Sequence, residues 1–373
     1  MTTLRVLLHV AAQRDYELHS LDFNTAFLQG SMHEEIWLRR PPGFTGSFPA
    51  DTQWSLRRRV YGLRHAPREW HDTLRTALAA LGFAPSTADL SLLLRTDTSL
   101  LPFYVLVFVD DLVFATADTE ALTLVKLELQ KRHTCTDLGE QRSYLGLQIT
   151  RDRARRTITL TQSHMVHQVL QRFRFSSPQP TPLSLALSST LGRVRRAKWH
   201  RKVHWDTAKR VLRYLCSTSG MGLVLGGRGP VVLTGHADAS WVDDSATQWS
   251  SQGYPSALPY PDGRWLQRGK LRCLTYLLID LGEQPRSPPV LYVDNKAIIA
   301  LCQEHRLEHR TKQVTLRYFL ARELQQRGQL RLAYVATRAN TSDIFTKALP
   351  PGDHQLFSTV LGLVPSLPHL LTA

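Results

Sequence analysis

Phe108-Val109-Asp110-Asp111 sets two adjacent carboxylates at the end of the apolar run Tyr104-Val105-Leu106-Val107, just before a second strand-like run, Leu112-Val113-Phe114-Ala115-Thr116. Aromatic and β-branched residues on both sides of a short polar break read as a hairpin whose tip carries the acids. Oxygen ligands concentrated at such a tip suit a pair of hard divalent cations, and with them nucleotidyl transfer. The same residues also read as an ordinary polar turn between two buried strands. Asp22, at the end of the strand-like stretch 18–23, offers one more carboxylate; by itself it reads as a helix N-cap ahead of Thr25-Ala26-Phe27-Leu28.

The elements that must position these acids are legible as alternating helix and strand signals. Leu74, Ala77, Leu78 and Leu81 recur at helical spacing and Gly82 follows as a stop. Thr119 is the expected N-cap of a helix with Leu122, Val125 and Leu129 on one face, and Ser163 that of a helix with Val166, Val169, Leu170 and Phe173. Tyr144 to Ile149 and Thr157 to Thr161 read as strands joined by a basic turn. Ala208, Val211, Leu212 and Leu215 align on a further helix. Later come a strand over 231–234, a strand over 290–293 that ends at Asp294, and a helix through Leu316, Phe319, Leu320 and Leu324. A strand over 330–334 and a short helix from Asn340-Thr341-Ser342-Asp343 complete the series. Between the halves, Ser176 to Pro182 is a proline-rich linker and Arg193 to Lys198 a basic run, most simply a solvated loop. This order predicts an α/β (α+β) chain of mixed sheets backed by helices.

Composition narrows the class. With 373 residues, 43% hydrophobic and 21% charged, the chain is long enough for two cores and is globular rather than disordered. Its 46 basic against 31 acidic residues give a net charge of +15, which points to a polyanionic partner. Cys135, Cys216, Cys273 and Cys302 lack any paired spacing, which argues against a zinc knuckle or a disulfide framework and fits a reducing compartment. No run approaches the roughly 18 apolar residues of a membrane span. The stretch Val6-Leu7-Leu8-His9-Val10 reads as a buried helix face rather than a secretion signal. An intracellular protein, cytoplasmic or nuclear, is expected.

Around the acids lie Leu21-Asp22-Phe23-Asn24-Thr25-Ala26-Phe27-Leu28, Arg40-Pro41-Pro42-Gly43-Phe44 and Tyr61-Gly62-Leu63-Arg64-His65-Ala66-Pro67-Arg68-Glu69-Trp70. Asp137-Leu138-Gly139, Tyr144-Leu145-Gly146-Leu147-Gln148-Ile149 and Thr181-Pro182-Leu183 follow. As an ordered series, running to about residue 183, these motifs closely resemble the reverse transcriptase of copia-type LTR retrotransposons. The likeness resumes at His204-Trp205 and runs with gaps to about residue 350, where it is similar to the ribonuclease H that follows that polymerase.

The resemblance implies a palm/thumb-like domain over 1–183 with its fingers missing, a remnant connection over 184–228, a ribonuclease H-like mixed-sheet domain over 229–349 and a tail over 350–373. It implies Mg²⁺ at two-metal sites, with Asp22, Asp110 and Asp111 as polymerase ligands and Asp238, Asp294 and Asp343 as ribonuclease ligands. Gly62, Arg64, His65 and Phe108 would face template and nucleotide; Arg64 stands where Lys is common, His65 where Gln is common, and Phe108 where Tyr is usual. Implied partners are an RNA template, a DNA primer, an RNA–DNA hybrid and deoxynucleotides, with no membrane; oligomeric state is open. The family's ribonuclease also uses a glutamate between its first two aspartates, and here only Glu283 lies between Asp238 and Asp294. With that acid, the fingers and most of the connection gone, weak or no activity is expected. The rival reading is a basic module that binds hybrid or single strands without chemistry.

Overall fold

The computed structural model describes residues 1–29, 34–39, 43, 49, 52–95, 97, 100–175, 202–239, 252–253, 267–303, 315–347 and 349–366. The motifs Arg40-Pro41-Pro42 and Thr181-Pro182-Leu183, the linker from Ser176, the basic run and the stretch 254–265 lie outside the described residues. The chain divides into two compact units, residues 16–141 and residues 1–15 with 142–373. Helix α1 (Thr2–Arg14) opens the larger unit and buries Leu4, Val6, Leu7, Leu8 and Val10, as that apolar run requires.

The smaller unit is built on β1 (Glu17–Phe23), the ribbon β2 (Trp37–Arg39) and β3 (Gln53–Ser55), helix α2 (Ala66–Ala79), β4 (Phe83–Pro85), β5 (Leu92–Arg95), β6 (Phe103–Phe108), β7 (Asp111–Thr116), helix α3 (Thr119–Arg132) and β8 (Cys135–Glu140). Six strands pair antiparallel in the order β4-β5-β6-β7-β1-β8. Trp70, Leu74 and Leu78 of α2 and Leu122 and Leu129 of α3 share one core with Leu21, Phe23, Val105, Val107 and Phe114 of the sheet. Burying Leu, Phe and Trp in this way stabilises by about 1.5–3 kcal/mol per side chain. The central strands are therefore the most firmly held part of the unit. Helix α3 is capped by Asp118 rather than Thr119, because the Asp118 carboxylate accepts the Ala121 N–H at 2.9 Å. The Asp137-Leu138-Gly139 motif forms the edge strand, where Asp137 accepts from the buried Lys126 at 2.7 Å.

The larger unit continues with β9 (Ser143–Tyr144), β10 (Leu147–Asp152), β11 (Thr157–Thr161), helix α4 (Ser163–Arg172), helix α5 (Lys202–Thr218) and β12 (Met221–Gly226). Then come β13 (Thr234–Ala239), β14 (Gln252–Gly253), helix α6 (Gln267–Asp280), β15 (Val290–Val293), helix α7 (Lys296–Gln303), helix α8 (Thr315–Gln326), β16 (Arg331–Tyr334), helix α9 (Asp343–Thr346), helix α10 (Pro351–Val360) and β17 (Leu363–Pro365). One sheet is antiparallel in the order β17-β12-β11-β10-β9. Helix α1 approaches it so closely at Gly226 (φ 93°) that a Cβ there would lie 2.7 Å from the Ala12 Cβ and 2.4 Å from the Arg156 carbonyl oxygen. A second sheet, β14-β13-β15-β16, joins three parallel strands to the antiparallel β14.

Three local expectations are corrected. The stretch from Tyr144 to Ile149 is not one strand, because Leu145 (φ 49°) and Gly146 (φ 79°) turn the chain between β9 and β10. Ser163 does not cap α4; its hydroxyl donates to the Ser219 carbonyl at 2.6 Å. The strand expected over 231–234 begins only at Thr234, where parallel pairing with Val290 sets the register.

Candidate active site

The hairpin tip is held by register. Phe108 pairs with Asp111 across β6 and β7, leaving Val109-Asp110 as a two-residue turn, and Asp111 pairs in turn with Asp22 across β7 and β1. Directly opposed residues of antiparallel strands project to the same face, so Asp22 and Asp111 share one surface with Asp110 beside them. Two backbone carbonyls of the turn are tied down. The Phe23 N–H donates to the Asp110 carbonyl at 2.9 Å, and the Trp70 indole N–H donates to the Val109 carbonyl at 2.7 Å. Val109 has φ 58°, and Phe108 is half exposed at the rim.

These acids repel one another. Burial, and next the Asp110 charge, push the Asp22 carboxyl above the usual carboxylate range. Burial, then Asp110 and Asp22, do the same to Asp111, and among the described residues no basic side chain offsets either shift. Such a like-charged cluster is relieved by a proton or a cation. Among the described residues no three His, Cys, Asp or Glu side chains converge tightly enough to hold an ion by themselves. Mg²⁺ does not require that, since it is commonly held by one or two carboxylates plus water and substrate phosphates. The all-oxygen donor set fits such a cation.

Gly62, Arg64 and His65 lie together just before α2. Gly62 has φ 100° and open space where a side chain would project. Arg64 and His65 are exposed and border a small cavity of about 60 Å³ with Ile36, Arg59, Leu63 and Glu69. Arg59, almost fully buried, is ion-paired with Glu69. Helix α2 then carries Trp70 to the acid turn, so this motif and the turn are mechanically joined. Trp70 is fully buried, its ring edge-on to Phe23 (5.0 Å between centroids) and to His133 (5.7 Å). Only its place in a motif string marked it in the sequence; its hydrogen-bond partner is 39 residues away.

In the larger unit, Asp238 lies on β13 and Asp294 follows the last residue of β15; Ala237 and Val293, which precede them, are register partners. The two positions therefore lie side by side at the C-terminal ends of the two central, parallel strands of the sheet. Asp343 opens α9, is buried, and pairs with Lys347 at 2.9 Å. Asn340, fully buried, donates to the Ala237 carbonyl at 3.2 Å and accepts from the Ser342 hydroxyl, pinning the loop that carries Asp343 to the strand that carries Asp238. Glu283 is buried in an ion pair with Arg14.

Comparison with known proteins agrees with the motif reading over the first half of the chain. Residues 1–184 match the protein family described as reverse transcriptase (RNA-dependent DNA polymerase). The chain is similar to the retrovirus-related Pol polyproteins from transposons RE2 and RE1 of Arabidopsis thaliana, at 30% and 28% identity, and from transposon TNT 1-94 of Nicotiana tabacum, at 26%. Each alignment covers 97% of this chain, which spans only 29%, 28% and 32% of those relatives respectively. Among solved structures, the foamy viral protease–reverse transcriptase with RNA/DNA hybrid aligns at a TM-score of 0.44 and 14% identity, over 90% of this chain and 45% of that one. Among the described residues no helix is long and apolar enough to cross a membrane.

Proposed function

Residues 1–184 belong to the reverse transcriptase (RNA-dependent DNA polymerase) family, and from that membership we propose that the β1/β6/β7 acids are a nucleotidyl-transfer centre for DNA synthesis on an RNA template. The supporting observation is the register that sets Asp22 opposite Asp111 with Asp110 at the adjoining turn. Bound Mg²⁺ would lower the proton affinity of a primer 3′-hydroxyl and neutralise charge on the triphosphate. Asp22, Asp110 and Asp111 would hold it through their carboxylate oxygens. Arg64 and His65 would meet template or nucleotide through charge and hydrogen bonding, and Phe108 would offer a ring at the rim.

For the larger unit we propose a ribonuclease H-like site at Asp238, Asp294 and Asp343 with weak or no hydrolysis of the RNA strand of a hybrid. The reason is that Glu283, the only glutamate between the first two of these acids, is engaged by Arg14.

Primer extension by the purified chain on an RNA template with Mg²⁺ and deoxynucleotides tests the main reading. Extension that disappears in Asp110→Asn/Asp111→Asn supports it. Template binding that falls with salt, persists in that variant and is accompanied by no extension would instead favour a basic binding module.

A further inference from the structure

The acid turn carries a conformational liability. Val109 is β-branched yet sits at φ 58°, a left-handed conformation that such a side chain rarely adopts, because its Cβ crowds the backbone. Glycine would occupy the position without penalty. A two-residue turn with this strain at its first residue tends to relax, and relaxation would swing Asp110 away from Asp22, while Asp111 stays paired in β7. The turn must therefore be held from outside, and the structure shows what holds it.

We propose that Trp70 is a positioning residue for the nucleotidyl-transfer centre, its indole N–H clamping the Val109 carbonyl and keeping the turn in its strained, acid-converging form. The inference rests on the proposed function for its consequence, though not for its geometry. The contact is short, at 2.7 Å, and partly buried, so the N–H has little competition from water. The donor is itself immobile. Trp70 is 1% exposed and braced at ring edges by Phe23 and His133. Phe23 supplies the companion bond, its backbone N–H donating to the Asp110 carbonyl. Two successive carbonyls of the turn are thus fixed by two neighbours in ring contact with each other. Helix α2, which places Trp70, begins at the Arg64-His65 segment, so movement there is transmitted to the acids through one rigid element.

The test is a cycle of Trp70→Phe in the Val109 chain and in a Val109→Gly background. Phenylalanine keeps an aromatic ring in the core and deletes the donor. Three quantities are read on the full chain: Mn²⁺ affinity by paramagnetic relaxation, primer extension, and hydrogen exchange of the Phe23 amide, which donates to the Asp110 carbonyl. Trp70→Phe is expected to weaken Mn²⁺ binding and slow extension about tenfold and to speed exchange of the Phe23 amide. In the Val109→Gly background the same substitution should cost little, because glycine needs no clamp. An unchanged Trp70→Phe protein overturns the proposal. So does a loss that Val109→Gly leaves in place and that follows the fall in Tm, since that is the behaviour of a core residue alone. If Trp70→Phe fails to fold, 3-benzothienylalanine at position 70 removes the N–H while keeping the fused ring, and the same criteria apply. If the parent chain shows no extension, the functional reading fails while exchange of the Phe23 amide still decides the clamp.

Discussion

Asp22, Asp110 and Asp111 lie near one another at the β6–β7 turn, and among the described residues no basic side chain offsets the raised proton affinity of Asp22 and Asp111, whereas Asp343 is buried beside Lys347 and its loop is pinned by Asn340. The first group is electrostatically unbalanced and mechanically over-determined: strand register and two carbonyl clamps hold like charges against one another. Asp343 in the second is balanced by Lys347. A cluster that keeps its repulsion in the folded state is one whose stabilisation is left to a ligand, and a divalent cation is the ligand that matches its charge and oxygen donors.

The strongest way to break the comparison is Asp111→Asn. Primer extension should fall by about 10³-fold, the scale on which loss of a charge-stabilising group acts in transfer reactions, while the fold persists by circular dichroism. Retained extension would show that the acids are not the centre. In the larger unit the corresponding lesion is one of stability. Asn340→Ala should lower unfolding free energy by about 1–3 kcal/mol, because it strips a buried carbonyl of its donor, and denaturant titration would measure it. Lys347→Met should cost less, about 1 kcal/mol, since the lysine side chain is 42% exposed and part of its charge is met by water.

The smallest effect has the opposite sign. Folding raises the proton affinity of Asp22 and Asp111, so their protonated forms favour the native state. That benefit is complete below the unfolded value of about 3.9 and is lost as pH rises through the folded values. Asp111→Asn should therefore raise Tm slightly at pH 7 and leave it unchanged near pH 3. Mg²⁺ should raise the Tm of the unsubstituted protein at pH 7 and cease to do so in acid, as protons displace it. Equal responses at both pH values would remove the electrostatic half of the contrast.

The hairpin could be read from sequence because everything that makes it is local: two apolar, β-rich runs around a two-residue turn. The helix stripes of α2 and α3 were legible for the same reason, their apolar spacing being a property of a single segment. Caps and short strands were read less well. Asp118 competes with Thr119 one residue away, and Leu145-Gly146 interrupts what looks like one continuous strand. Residues 351–365, grouped with the tail, supply α10 and the edge strand β17, whose pairing with β12 spans more than a hundred positions.

By itself, then, the sequence determined the family, the identities of the acids and the order of the elements, since motifs and periodicity are written in neighbouring residues. Tertiary structure decided what those acids experience. The pairing of Asp22 with Asp111, the clamp of Trp70 on Val109 and the pairing of Glu283 with Arg14 join positions 89, 39 and 269 residues apart. No periodicity encodes such contacts. They arise when strand register and helix packing bring distant groups within hydrogen-bonding distance, and there burial first and charged neighbours second set what a carboxylate experiences.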